Sequence, residues 1–343
     1  MQFHVKFLWV LILPCIFTFS ACKRKEPQPT QTGFKLNVPQ GFPMPKIPED
    51  NFITAEKVKL GRKLFYDPQL SQAKTIACAS CHLIEHALAD TARFSKGDKG
   101  QIGKRNAPSL TNVAYQTELF WDGANPSLEK QILAVMLNHD EFDIEITEVE
   151  NRIRADASYQ QLFKDAFNGV INITTITQAI ATFERTMLSG NSKYDKYLRN
   201  QATLTESELN GMKLFFDEKG ECFHCHSGFN FTDFKFHNTG LDSVTTDEGR
   251  YRTTGIEEDK GKFKTPTLRN IALTAPYMHD GRFKTLEEVV EHYNKGGKNH
   301  PYKDGDIFPL NLTPQQKQDI VNFLKTLTDE EFVNNPDFKK PNY

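Results

Sequence analysis

Two pentapeptides, Cys78-Ala-Ser-Cys81-His82 and Cys222-Phe-His-Cys225-His226, constrain this 343-residue chain more than any other feature in it. Two thiols separated by two residues, with a histidine directly behind them, have the spacing that attaches haem c. Each sulfur closes a thioether to a vinyl group, and the histidine turns beneath the ring to ligate iron. A lone CxxC also suits a redox dithiol or half of a zinc site. Two copies, each with its own histidine, favour two covalently bound haems with His82 and His226 as proximal ligands.

The other cysteines point to export. Residues 1–21 place Lys6 ahead of an apolar run from Phe7 to Phe19, followed by the small Ser20 and Ala21, which is the pattern of a signal peptide. An apolar core of about 13 residues falls short of the roughly 20 that a spanning helix needs. Cys22 follows the small residues as in a bacterial lipoprotein, with Phe19 in place of the more usual leucine. Cys22 is therefore expected to carry a lipid, and the polar, proline-containing residues 22–50 to act as a tether. Cys15 leaves with the signal, so all four remaining cysteines belong to the haem motifs and none is left for a disulfide. The expected location is the periplasm, with membrane contact only through the lipid. Forty-two basic residues against forty-four acidic ones give a net charge of -2. No global field recruits nucleic acid or an anionic membrane.

Helical periodicity dominates the rest of the chain and strand signals are sparse. Ile176, Ile180, Phe183 and Met187 recur at helical spacing, as do Ile320, Phe323, Leu324 and Leu327. Thr147 with Glu150, and Thr205 with Glu208, form capping-box patterns ahead of helices. Gly61-Arg-Lys-Leu-Phe-Tyr-Asp67 before the first haem motif is echoed by Gly211-Met-Lys-Leu-Phe-Phe-Asp217 before the second. Downstream, Pro108-Ser-Leu-Thr-Asn-Val-Ala114 matches Pro266-Thr-Leu-Arg-Asn-Ile-Ala272, and Asp122-Gly123 matches Asp280-Gly281, both at an offset of 158 residues. The expected fold is mainly α, with two cytochrome c-like haem domains related by internal duplication, over residues 51–200 and 201–335.

The second face of each iron separates electron transfer from chemistry, because a second protein ligand saturates the metal and an open position admits peroxide. In the second half the candidates are Met278, His279, His292 and Tyr293. Chemistry alone favours Met278, a familiar axial ligand. At the same offset Met278 corresponds to Phe120 and Tyr293 to Val135, neither of which can ligate, so the first half reads as open. Around that opening stand Trp121, Gln131 and Glu141, on or just beyond a helix expected over 127–137.

Together LGRKLFYDP, CASCH, RNAPSLTNVA, FWDG, CFHCH, TLRNIALTAPYMHDG and SKYDKYL resemble the bacterial di-haem cytochrome c peroxidase family, which includes MauG. The likeness runs over roughly residues 40 to 330 in matching order. It implies a peroxidatic N-terminal haem and an electron-transfer C-terminal haem, with hydrogen peroxide as substrate and a small cytochrome c or copper protein as electron donor. Trp121 then falls at the family's tryptophan between the haems, Gln131 at its distal glutamine and Glu141 at its catalytic glutamate. Asp98 stands where typical peroxidases carry a histidine that must leave the iron on reductive activation, which implies a first haem open without it; His86 is the alternative ligand. Tyr293 stands where typical members have an axial methionine and MauG has tyrosine, so the resemblance prefers Tyr293 to Met278. It also implies a calcium ion held by the Asn106 side chain and the carbonyls of Thr274 and Pro276, and leaves a homodimer open. Two other readings remain: a MauG-like oxidase that modifies a protein substrate, and a non-catalytic electron-transfer cytochrome.

Overall fold

The computed structural model describes Met1, Gln2 and residues 33–342. The expected signal peptide beyond its first two residues, Cys22 and the first part of the tether lie outside the described residues. The helices are α1 (Ala55–Phe65), α2 (Leu128–Leu137), α3 (Ile146–Ala155), α4 (Ala157–Phe167), α5 (Ile173–Glu184), α6 (Lys193–Leu198), α7 (Glu206–Phe215), α8 (Tyr251–Thr254), α9 (Leu286–Asn294), α10 (Pro314–Lys325) and α11 (Glu330–Asn334). Among the described residues the only sheet is a two-residue antiparallel pair, β1 (Phe236–His237) with β2 (Phe263–Lys264). The chain is mainly helical, and no described helix is long and apolar enough to cross a membrane.

Side-chain caps set most of the helix starts. Thr54 accepts from Lys57 N, Ser127 from Lys130 N, and Thr205 and Thr285 form reciprocal capping boxes with Glu208 and Glu288. The expected box at Thr147 is not formed. α3 starts two residues earlier, at Ile146 after Glu145, with Thr147 already inside it. Glu150 instead accepts the backbone N–H of Ile173 at 2.9 Å and pairs with Arg154 at 2.6 Å, tying α3 to the start of α5.

Two apolar cores result. The first gathers Leu60, Leu64, Phe65, Ile132, Ile176, Ile180 and Phe183; the second gathers Phe215, Phe231, Leu286, Val290, Ile320 and Phe323. Each fully buried side chain of this size contributes about 1.5–3 kcal/mol. Both cores rest on the same close helix crossing. A Cβ on Gly61 would stand 1.9 Å from the Ala179 carbonyl oxygen and 2.9 Å from Phe183 Cβ, and one on Gly211 would stand 1.9 Å from the Asp319 carbonyl oxygen and 2.9 Å from Phe323 Cβ. Only glycine permits α1 to lie on α5, and α7 on α10, at that separation.

The loops repeat as well. Leu119 bridges Asn125 and Tyr277 bridges Phe283, and inside these two hairpins Phe120 and Met278 both adopt left-handed backbone, at φ 65° and 74°. The last segment departs from the order of the chain: Phe332, Val333 and Phe338 insert into the first core. Residues from Leu36 onward also pack on the body. Phe42 lies 4.7 Å from the Phe229 ring and 4.5 Å from the Arg269 guanidinium, and Tyr115 donates to the Pro43 carbonyl at 2.8 Å.

Candidate haem centres

Each CxxCH motif begins as a short 3-10 turn, Cys78–Ser80 and Cys222–His224, which brings the following histidine back over the first cysteine. The His82 N–H donates to the Cys78 carbonyl at 3.0 Å, and the His226 N–H to the Cys222 carbonyl at 2.9 Å. The rings are then oriented alike. His82 Nδ1 lies 2.8 Å from the Leu88 carbonyl and His226 Nδ1 lies 2.9 Å from that of Phe231. A carbonyl can only accept, so Nδ1 carries the proton and Nε2 keeps its lone pair for a metal. Burial lowers both imidazole pKa values and holds the rings in the neutral, ligating form. All four cysteines are free of disulfides, and burial pushes the Cys222 thiol up to about 12. Unpaired thiols separated by two residues, beside an oriented imidazole, fit covalent haem.

Around the second motif opens a cavity of about 230 Å³ to water centres, against roughly 10–15 Å³ for a single water. Cys222, Cys225, His226, Leu286, Val290 and Leu324 line it, so its walls suit a large, mostly apolar group. Met278, His279 and Tyr293 also reach the cavity, whereas His292 is committed to the Thr239 carbonyl at 2.9 Å. His279 stacks on Phe263 with ring centroids 3.6 Å apart. Tyr293, on α9, has no hydroxyl partner among the described residues, and burial, with smaller contributions from Cys225 and Cys222, pushes its phenol well above the usual range. A buried phenol of this kind can ligate only if a cation offsets the charge of its phenolate.

His237 is a site residue that sequence reasoning missed. It lines the same cavity between Asp233 at 2.9 Å and Asp304 at 2.5 Å, and Asp233 foremost, then the Cys225 thiol and Asp304, push its imidazole up to about 11 against burial. No local signal could have found it, because Asp304 arrives from a distant loop.

The cavity extends toward the first half, where Trp121 and Gln131 line it. Trp121 is held at both ends: its indole Nε1 donates to the Asn106 carbonyl at 2.8 Å, and its own carbonyl accepts from Lys264 N at 2.8 Å. Glu141 follows α2, with its carboxyl bonded by Asn138 Nδ2 at 2.7 Å. Burial raises that carboxyl to about 7 against the opposing Asn138 bond. Glu141 in turn raises the Cys78 and Cys81 thiols, after burial and nearer groups, which puts it on the side of the first haem motif. Val135 packs against the first core.

Asp98 is buried in its own loop. Its carboxylate accepts from the Ser71 hydroxyl at 2.8 Å, from the Thr75 hydroxyl at 2.6 Å, from Thr75 N at 3.0 Å and from the Ala73 N–H. Burial alone would raise its pKa, but these bonds outweigh it and hold the carboxyl below the usual range. His86 ends the 3-10 turn Ile84–His86, four residues after His82. Asn106, Thr274 and Pro276 all line the cavity. Asn106 Nδ2 donates to the Ala92 carbonyl at 3.0 Å, which leaves Oδ1 facing no donor among the described residues.

A sequence profile described as di-haem cytochrome c peroxidase matches residues 55–203 and 206–321. The chain is 34% identical over 296 residues to the methylamine utilization protein MauG of Methylorubrum extorquens, covering 85% of this chain and 83% of that one. It is 35% identical over 294 residues to the cytochrome c551 peroxidase of Nitrosomonas europaea, covering 84% and 83%. A crystal structure of a MauG-like protein associated with microbial copper homeostasis superposes with a TM-score of 0.85 at 40% identity, over 90% of this chain and 99% of that one.

Proposed function

Since the chain belongs to the di-haem cytochrome c peroxidase family, we propose that it is a periplasmic cytochrome-c peroxidase that reduces hydrogen peroxide to water at its first haem. The observation that carries this reading is Glu141, a half-buried carboxyl raised to about 7 beside the first CxxCH motif. Acids tuned to the working pH are what proton transfer at a reacting group requires. Electrons come from a small cytochrome c or copper protein and enter at the second haem. The duplicated halves thus divide the labour. A lipid on Cys22 anchors the chain, and calcium sits at Asn106 Oδ1 with the carbonyls of Thr274 and Pro276, an oxygen set that suits that ion.

Bound haem would supply a redox-active iron at each centre, held by His82 and His226 through Nε2, with Tyr293, or alternatively Met278, to hold the C-terminal iron as well. Gln131 holds peroxide, or the water formed from it, by hydrogen bonds. Glu141 would take the proton of the near peroxide oxygen and deliver it to the far one, which leaves as water as the O–O bond breaks, while two electrons from the donor and two protons turn the other oxygen into a second water. Such acid–base help is worth about two to four orders of magnitude in rate. Trp121, held rigidly by Asn106 and Lys264, relays electrons between the centres.

The test is peroxide consumption by the haem-loaded protein with a reduced small cytochrome as donor. Turnover that Glu141→Ala nearly abolishes, with both haems still attached, is the expected result; full activity in that variant would overturn the assignment. Tyr293 favours a second reading, a MauG-like oxidase that draws electrons from a protein substrate and alters it covalently. Mass spectrometry of a captured partner, covalently changed after peroxide, would support it over the first.

A further inference from the structure

The two halves put different residues at one position of the same scaffold. Gly61 meets Ala179 and Phe183 as Gly211 meets Asp319 and Phe323, so Glu184, after Phe183, is the counterpart of Leu324, after Phe323. Leu324 lines the cavity around Cys222, Cys225 and His226. Glu184 faces the first motif in the same way: after burial, its carboxylate is the largest influence raising the Cys78 thiol.

A leucine in that place needs no partner, whereas a carboxyl does. Glu184 is 5% exposed and receives no hydrogen bond among the described residues. The adjacent Arg185 is turned away and spent on Glu129, with contacts of 2.7 and 3.0 Å. The charged groups around it are Arg185 on its own helix, Glu129 on α2, and Lys57 on α1, which joins the same cluster. Burial outweighs the pull of Arg185 and lifts the Glu184 carboxyl to about 8, so it carries a proton at neutral pH. One haem environment therefore contains a neutral acid where the other contains a hydrocarbon.

We propose that Glu184 is a second acid of the first haem pocket, holding a proton that the reduction of peroxide consumes. The inference rests on the peroxidase reading. One hydrogen peroxide, two electrons and two protons give two waters as the O–O bond breaks; the electrons come from the small redox protein that serves as donor. Glu141 only moves a proton from one peroxide oxygen to the other. Glu184 supplies one of the two protons taken up, becomes a carboxylate, and regains a proton from water before the next cycle.

Infrared difference spectroscopy of the haem-loaded protein, before and after peroxide is added to its reduced form, tests this directly, with Glu184→Gln, Glu184→Leu and Glu184→Asp compared with the natural protein. The expected result is a protonated-carboxyl band that bleaches with peroxide, is missing in the Gln and Leu variants, and returns in the Asp variant. Peroxide consumption falls about a hundredfold in the first two, while reduction of the second haem by the donor keeps its rate, which general damage to the fold would not allow. A band that survives in Glu184→Gln, or peroxide consumption in that variant equal to that of the natural protein, would overturn the proposal and leave the peroxidase reading intact. If the natural protein consumes no peroxide, that reading falls and takes this inference with it.

Discussion

The backbone N–H of Asp98 donates to the carbonyl oxygen of Glu141 at 2.9 Å. The two residues come from separate loops, and the contact is tight: a Cβ on the neighbouring Gly97 would stand 2.4 Å from the Asp140 carbonyl. Asp98 thus fixes the backbone that carries Glu141, and its own side chain is fully engaged by Ser71, Ala73 and Thr75.

Replacing Asp98 with alanine should therefore act twice. Charge-assisted hydrogen bonds to a buried carboxylate are worth about 1.5–3 kcal/mol each and are not additive, so denaturant titration should show a loss of about 3 kcal/mol. Peroxide turnover should fall as Glu141 loses its support. Because the folded-state pKa of Asp98 is depressed, its contribution to stability is present above the ordinary carboxyl value of about 4 and is lost as pH falls through the lower folded value. Acid unfolding of the natural protein should accordingly be steeper than that of Asp98→Ala.

Glu141 must accept a proton before it can give one, so its charged form is the active one. With its carboxyl raised to about 7, peroxide turnover should climb as pH rises through that value. A steady-state profile of kcat/KM between pH 5 and 9 checks this, and Glu141→Gln should flatten it at a rate about two to four orders lower. A profile unchanged in that variant would assign the titration to another group.

At the second haem, Tyr293→Phe should open a coordination position and convert that iron from low to high spin, read by electron paramagnetic resonance of the oxidised protein. Tyr293→Met should raise the potential of that haem, since thioether replaces phenolate. Met278→Leu should leave the resonance unchanged, and a spin change there instead would make Met278 the ligand.

Arg269 and Asp195 form a bidentate pair at 2.8 and 3.0 Å, with side chains 2% and 6% exposed. Arg269→Met should cost about 3–5 kcal/mol, because it strands a buried carboxylate. Thermal unfolding followed by circular dichroism should show the loss with both haems still attached.

The features that could be read from sequence are those that depend on near neighbours. The CxxCH spacing, the stripes of α5 and α10, and the box at Thr205 all lie within one element. The offset of 158 residues paired Phe120 with Met278, and the two residues sit in matching hairpins. What stayed hidden depends on contacts between distant segments. Thr147 has the residues of a cap, but Glu150 is drawn to Ile173, so the helix starts earlier. His237 needs Asp304, and Asp98 needs the loop at Ser71 to Thr75, before either has a role. Glu184 ends α5 beside the apolar Phe183, and only the helix crossing aligns it with Leu324.

The return of the C-terminus to the first core has a consequence for how the molecule matures. Phe332, Val333 and Phe338 complete a core whose other members lie in the N-terminal half, while Tyr66 donates to the Phe338 carbonyl at 2.6 Å and Arg62 to that of Lys339 at 2.8 Å. The half of the molecule synthesised first therefore stays unsealed until Phe332 to Phe338 arrive. Phe332, Val333 and Phe338 thus act as a fastening on the core against which Cys78 of the first CxxCH motif packs.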